Sequence, residues 1–595
     1  MLMQVIATAG HVDHGKSALV RALTGMEPDR WAEEQRRGLT IDLGFAWMSL
    51  PGGDRLALVD VPGHERFVPN MLAGVGPVPA VLFVVAADGG WMPQSAEHLA
   101  AIDAVGIRCG LLAVTRSDLA DPGPATRQAV AKIAATSLGS VETVAVSAVT
   151  GTGLPDLRAA LARLAVSLPV PDAAAPVRLW VDRSFSIRGS GTVVTGTLPA
   201  GTVRTGQELL LTPSMRPARI RGIESLNEPV PSVHGVARVA LNLRGLPADV
   251  PARGMALIEA GRWTMTRLAD IRLSLPPQLR LPPDMTLHVG SARTPVRVRL
   301  LSSGGTAIAR LTLRDPLPLH VGDRLLLRDP GSAGVTILGA TVLDAAPPAL
   351  TRRGSAAAAG GELAAWPERP TAADLLRRHG LLRASALAAM GVGSDLPPPV
   401  AGGWLADPAY WSDLRRRLAD TVADHARRDP LAIGMPPEAA RAALGLPDRA
   451  LVEALAQMPP VLLSDGYLVV RQTREAPPAL PAHVMAGVRA VLADLADTPF
   501  VAPEAGRLRE LGLDPRAIGA AARAGLLLRV TDQIVLAPGA GAEAALALAR
   551  LPQPFTAAEA RQALGTTRRV AIPLLEYLDR AGITQRLPDD RRRLR

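Results

Sequence analysis

The stretch "GHVDHGKS" (10–17) has the residue types and spacing of a phosphate cradle, set between an apolar run and a helical one. Gly10 and Gly15 let successive backbone N–H groups converge on an anion, Lys16 can reach the terminal phosphates, and the Ser17 hydroxyl suits magnesium. Val12, Asp13 and His14 complete the loop that wraps the phosphates. Lysine is nearly absent from the chain: only Lys16 and Lys132 occur, and arginine carries the remaining positive charge. A slender ammonium in a tight cradle cannot be exchanged for a broad planar guanidinium, so the retained Lys16 points to function.

Further segments fit the same chemistry. "DVPGHERF" (60–67) supplies Asp60 at a strand end, suited to magnesium, and Gly63, whose amide can meet a γ-phosphate. "RRGLTIDLG" (36–44) offers Thr40 as a second hydroxyl ligand of the metal. "TRSD" (115–118) follows the strand "GLLAVT". Its carboxylate, Asp118, can accept from guanine N1–H and N2–H₂, a donor pair that adenine lacks. "SAVTG" (147–151) can place a backbone amide of Ser147–Ala148 on guanine O6. With Thr115 and Arg116 flanking the base, these segments describe a site for GTP or GDP with Mg2+.

Such a site needs a parallel sheet to hold it. Residues 1–170 alternate apolar strands ("QVIATAG", "RLALVDV", "AVLFVVAA") with helical stretches such as "SAEHLAAIDAVG", which predicts an α/β P-loop domain. A proline-rich linker, "LPVPDAAAP" (168–176), follows. Short Val/Thr/Leu/Arg runs with glycine turns then predict two antiparallel β-barrels, at 175–261 and 262–346. "APPALTRRGSAAAAGGELAAWPERP" (346–370) reads as a second linker. Beyond it the chain is Ala/Leu/Arg-rich and helical, with recurring apolar hairpins at "VLLSDGYLVV", "GLLLRVTDQIVL" and "GITQRLPDDRRRLR". Helices followed by a two-stranded wing predict tandem winged-helix (α+β) domains at 366–427, 428–476, 480–542 and 543–595.

Composition narrows the classes. The 595 residues, 48% hydrophobic, suffice for several packed cores, and no apolar run reaches the ~18 residues of a membrane span. The start, "MLMQVIATAG", enters a strand directly and lacks the build of a signal peptide. A single cysteine, Cys109, excludes an internal disulfide framework and fits a reducing, cytoplasmic location. From Arg561 to Arg595 there are nine arginines against four acids, so +5 of the formal net charge of +10 lies at one end. Charge so concentrated predicts a polyanionic partner.

The run "GHVDHGKS", "RGLTID" and "DVPGHE" resembles the translational GTPases, the relatives of elongation factor Tu. That resemblance implies that His64 positions the attacking water once the ribosome engages, that Val12 and Leu39 screen that water, and that Thr40 orders the first switch loop around γ-phosphate and magnesium. The base-recognition motif departs from the family's Asn/Thr-Lys-x-Asp, with Arg116 where a lysine stem would lie along guanine. An arginine stacked there would alter affinity rather than base choice.

"VDRSFSIRGSGTVVTGTLPAG" (181–201), "DRWAEEQRRGLTIDLGFAW" (29–47) and the terminal "LGTTRRVAIPLLEYLDRAGITQR" (564–586) are similar to the selenocysteine-specific branch of that family. The likeness spans residues 1 to about 345 and returns at the end. It implies a cytoplasmic monomer whose partners are selenocysteinyl-tRNA, the ribosome and an mRNA hairpin marking a UGA codon. The aminoacyl pocket carries over to Asp182, Arg183 and Arg238. A selenol ionises far more readily than a thiol, whose pKa is about 8.5, so two arginines would select a selenolate by charge. The hairpin contacts fall on Arg568 and Arg569 at the start of the last helix and on Arg586 and Arg592 in the wing, with Ala571, Leu574, Leu575 and Leu578 facing inward. Two other readings compete: a carrier of ordinary aminoacyl- or initiator-tRNA, and a GTP-gated transcription regulator with its winged helices on DNA. The first predicts a neutral pocket and no winged-helix tail, the second no tandem barrels.

Overall fold

The structure, a computed structural model, describes residues 3–28, 40, 42–63, 68–76, 78–187, 191–247, 250–275, 279–302, 306–329, 331, 337–470 and 480–595. The chain forms two compact units, residues 1–398 and 399–595. Among the described residues no helix is long and apolar enough to cross a membrane.

The first unit opens with a six-stranded sheet: β1 (Met3–Ala9), β2 (Gly44–Ser49), β3 (Arg55–Asp60), β4 (Ala80–Ala86), β5 (Cys109–Thr115) and β6 (Glu142–Ala145). Their order is β2-β3-β1-β4-β5-β6, parallel except for β2, which runs antiparallel to β3. Successive β1 residues enter opposite cores, Val5 and Ala7 on one face and Ile6 on the other. Burial on both faces explains why these strands read as unbroken apolar runs. The cradle, the Asp60 turn and both base-recognition loops leave the carboxyl ends of β1, β3, β5 and β6, where open α/β sheets bind ligands.

An eight-stranded antiparallel sheet follows, whose path ends on Arg178–Trp180 and Arg183–Ile187, consecutive in sequence. The next six strands, from Thr264–Ser274 to Ile337–Asp344, close into a barrel. The expected linker at 346–370 is instead part of the fold. Its alanine run forms the helix Ser355–Ala364, and Gly360 lets that helix meet the Leu301 carbonyl, 2.5 Å from where a Cβ would stand. Arg272 donates to the carbonyl of Leu363 in the helix's last turn (3.1 Å) and to that of Trp366 just beyond it (2.6 Å). The helix Ala372–His379 is fixed in turn by a buried ion cluster: Arg378 pairs Asp270 (2.5 Å) and Asp344 (3.3 Å), and Arg310 pairs Asp270 (2.7 Å).

The second unit repeats three helices and a hairpin. The helices Pro408–Arg428, Pro437–Leu444 and Arg449–Leu455 precede the hairpin Val461–Ser464 with Tyr467–Val470. Asp465 and Gly466, both at positive φ (50° and 82°), make its two-residue turn. The unit recurs at 482–536 and at 540–594. Two expected boundaries therefore move. The helix Pro408–Arg428, assigned above to a module at 366–427, packs on the helices and hairpin that follow it, and residues 366–398 belong to the first compact unit. The hairpins mark where modules end, but helical periodicity alone does not show which helix belongs to which hairpin.

Candidate functional site

The nucleotide cradle is shaped by backbone. Gly10 sits at φ +133°, and a Cβ there would lie 2.2 Å from the Val84 carbonyl oxygen. Gly15, in the left-handed region, starts the helix Lys16–Thr24. Lys16 Nζ donates to the carbonyls of Gly10 (3.0 Å) and His11 (2.8 Å). Behind the loop, Gly10 N–H donates to Nδ1 of His98 at 3.1 Å. Burial first, then the nearby Lys16 charge, pushes His98 down to about 3, so its ring is neutral and can accept. His14 is lowered to about 4, again by burial first and then by His11. Its carbonyl receives the Thr115 hydroxyl at 2.7 Å, which ties the cradle to β5.

The three expected magnesium ligands come together. Ser17 Oγ donates to Asp60 Oδ2 at 2.6 Å and lies 2.9 Å from the Thr40 hydroxyl. Thr8 donates to the other Asp60 oxygen at 2.7 Å, fixing the carboxylate from behind. Two hydroxyls and a carboxylate are the hard oxygen donors that magnesium takes. A Cβ on Gly63 would stand 2.6 Å from both Lys16 Nζ and the Val12 amide, so only glycine fits beside the cradle. His64 and Leu39, singled out from the sequence, lie outside the described residues.

The base-recognition loops adjoin through Ser117 N–H, which donates to the Val146 carbonyl at 3.3 Å. Ser147 is buried, and its hydroxyl accepts the Thr150 amide at 3.1 Å, setting the turn that holds Ala148. The Asp118 side chain is exposed at the loop tip. Arg116 departs from expectation. Its guanidinium pairs with Asp88 (2.9 Å) and donates to the Asp13 carbonyl, so it braces the cradle instead of standing loose for stacking.

The second site lies where the first barrel meets β2. Asp182 is buried, accepts the Thr195 hydroxyl at 2.6 Å, and grips both terminal nitrogens of Arg238, one at 2.8 Å. Arg183 pairs with Asp42 (3.1 Å) and donates to the Leu43 carbonyl. The Phe45 ring lies 3.7 Å below the Arg238 guanidinium and 5.3 Å from that of Arg183. The three expected pocket residues thus meet, and Asp42, Phe45 and Arg253 join them. Sequence reasoning missed these three because they come from other segments. The available signal was an aromatic at Phe45, directly after the switch motif.

At the chain end, Ala571, Leu574, Leu575 and Leu578 are buried as expected. The arginines divide. Arg568 is exposed at the first turn of the helix Arg568–Arg580. Arg569 donates to the carbonyls of Ala502 (2.6 Å) and Pro503 (3.3 Å) in the preceding module. Arg586 pairs with Asp590 on the wing surface. Arg592 is buried against Asp579 at 2.9 Å, which corrects its expected role as a phosphate contact: it fastens the wing to the helix. A groove between the hairpin 528–536 and this helix is lined by Arg529, Gln533, Arg569, Tyr577 and Arg580. One apolar core spans both modules, from Leu480 to Leu578, so the last module shares its core with the one before it.

Three family models match. They are the elongation factor Tu GTP binding domain at residues 2–167, the selenocysteine-specific elongation factor beta-barrel domain at 267–349, and the elongation factor SelB winged helix at 547–593. The selenocysteine-specific elongation factor of Desulfomicrobium baculatum is 32% identical, over 99% of this chain and 99% of that one. The chain belongs to the selenocysteine-specific elongation factors. The Escherichia coli (strain K12) member of that family is also 32% identical, over 98% of each chain. Among solved structures, the crystal structure of bacterial selenocysteine-specific elongation factor EF-Sec superposes with a TM-score of 0.74 at 25% identity, covering 100% of both chains. Family membership brings with it the GTPase activity and the fold class that the motifs implied.

Proposed function

We propose that this elongation factor, a cytoplasmic monomer, carries selenocysteinyl-tRNA to the ribosome at a UGA codon. In this reading its terminal winged helices hold the mRNA hairpin that marks the codon. The observation that carries the reading is the meeting of Arg183 and Arg238 beside Phe45, with Asp182 gripping Arg238. A half-buried guanidinium pair attracts an anionic selenolate, while a seryl hydroxyl remains neutral and a cysteinyl thiol is mostly so at neutral pH.

Each group of the nucleotide site then has a task. Asp118 accepts from guanine N1–H and N2–H₂, the Ser147–Ala148 turn meets O6, and the amides of residues 10–17 with Lys16 hold the phosphates. Ser17, Thr40 and Asp60 would hold magnesium, which when bound neutralises charge across the β- and γ-phosphate oxygens. His64 orients the attacking water on ribosome engagement, behind the screen of Val12 and Leu39. At the other end Arg568 meets loop bases of the hairpin, where splayed bases allow sequence to be read. The test is binding to selenocysteinyl-, cysteinyl- and seryl-tRNA with a non-hydrolysable GTP analogue. The expected order of affinity follows that list, and equal binding of all three would overturn the assignment.

A further inference from the structure

Thr8 is out of place by pattern. Strand β1 crosses the middle of the sheet, and alternation puts Thr8 on the same face as Ile6, which belongs to the apolar core of that side. Thr8 is 0% exposed. Valine has nearly the same shape and no polar atom to bury, so packing alone favours valine here. The hydroxyl is used twice instead. It donates to Asp60 Oδ1 at 2.7 Å and accepts the Val61 N–H at 3.2 Å. The parallel pairing of β1 with β3 makes this possible: Ala7 stands beside Val59, and one step further brings Thr8 beside Asp60.

Asp60 is buried as fully as Thr8. The last torsion of an aspartate is soft, so its carboxylate needs partners to hold one orientation. Ser17 supplies one at Oδ2, 2.6 Å away, but that hydroxyl is itself among the oxygens suited to the cation. Thr8 holds the opposite oxygen, and it lies outside the loop 10–17 and outside the donor set of Ser17, Thr40 and Asp60. Its second bond fixes the amide that follows Asp60. That amide starts the turn which brings Gly63 to the edge of the cradle, where a Cβ would meet Lys16 and Val12. One hydroxyl therefore sets both the carboxylate and the first peptide of the turn beside it.

We propose that Thr8 is a positioning residue for magnesium, whose hydroxyl orients Asp60 toward the other donors and so raises the affinity of the nucleotide site for the cation. The inference rests on the reading of Ser17, Thr40 and Asp60 as the magnesium donors. A carboxylate tied at one oxygen presents the other in a fixed direction, and the cation then meets a preformed arrangement that it does not have to order. Untied, Asp60 keeps its charge but can turn away, and the buried Val61 N–H loses its acceptor. Removing a hydrogen-bond partner behind a metal ligand weakens metal binding by about tenfold to a hundredfold.

The experiment follows release of a fluorescent GDP analogue from the full-length protein as free Mg2+ is titrated, with a parallel measurement in EDTA. Thr8→Val keeps the shape and removes the hydroxyl. It should need about tenfold more Mg2+ to reach half of the full slowing of release, while release in EDTA stays within about twofold of the unaltered chain. Thr8→Ser retains the hydroxyl and should stay within about threefold of the unaltered chain on both measures. Thr8→Cys gives a reading that does not depend on the valine variant folding: its thiol donates weakly, so a smaller shift in the same direction is expected. A purely structural role predicts faster release in EDTA as well, with the half-saturating Mg2+ unchanged, and that result overturns the proposal. So does a serine variant that behaves like the valine one. If release from the unaltered protein does not depend on Mg2+, or if Asp60→Asn leaves that dependence intact, the donor reading itself falls, and this inference with it.

Discussion

The nucleotide cradle and the terminal arginine cluster were both conspicuous in the sequence, yet they use their polar groups in opposite ways. In the cradle, Lys16, Ser17, Thr40 and Asp60 converge on one small volume through links of 2.6 to 3.0 Å. At the chain end, Arg592 is consumed by Asp579, Arg569 by two backbone carbonyls and Arg586 by Asp590, while Arg568 is exposed. A motif constrains the backbone as well as the side chains, so its spacing carries geometry. A charge count constrains neither. Arginine serves as a structural staple as readily as it serves as a phosphate ligand.

The comparison breaks if the cradle proves tolerant or the staple proves dispensable. Gly10→Ala should have the largest effect, because its Cβ would collide with the Val84 carbonyl at a φ that L-residues rarely adopt. Backbone strain of ~3 kcal/mol corresponds to roughly a hundredfold loss of GTP affinity. Equilibrium titration with a fluorescent GTP analogue measures it, and retention within about threefold would remove the backbone argument. Arg592→Ala should destabilise residues 480–595 by about 3 kcal/mol in urea unfolding, since it strands a largely buried partner. RNA affinity of the folded fraction should hold. Lost affinity with unchanged stability would return Arg592 to the list of phosphate contacts.

Smaller effects sharpen the contrast. Asp118→Asn should weaken GTP by one to two decades, the scale of a charge-assisted hydrogen bond of ~1.5–3 kcal/mol, and admit XTP, whose C2 carbonyl accepts where guanine donates. Competition between the two nucleotides reads this directly, and a preserved preference for GTP removes Asp118 from base recognition. At the exposed end of the scale, Arg568→Ala should narrow the gap between the cognate hairpin and a scrambled loop by about tenfold. Arg586→Ala, which opens a surface pair worth at most ~1 kcal/mol, should change both RNAs alike and only slightly. Should Arg586 prove the selective residue, the recognition face is the wing and not the helix start.

The legible parts share one property: the residues that cooperate are close in sequence or sit at strand ends in a fixed order. That holds for the cradle, for Asp60 with Gly63, and for the parallel sheet announced by its apolar runs. The illegible parts depend on partners brought from far away. Nothing near Arg183 indicates Asp42, and nothing near Arg569 indicates Ala502 or Pro503. Arg116 shows a milder version, since its partner Asp88 lies on a different loop of the same domain. The stretch 346–370 was misread because alanine and glycine look like linker composition, while Ser355–Ala364 uses those small residues to lie close against the barrel. The module boundary expected at 427/428 failed for a related reason. A long amphipathic helix advertises that it packs, but not on which neighbour.

The core shared by the last two winged helices sets an order of assembly. Val484, Val488 and Ile518 belong to the same cluster as Val570, Leu574 and Leu578, although the chain between them makes a hairpin and several helices. During synthesis the earlier module therefore emerges with a face that only the final residues can cover. A product cut short before Val570 keeps that face open to water, a liability that chaperones and proteases recognise in any half-built core. The last module thus completes the core of the one before it, and a broken chain carries that defect on its surface.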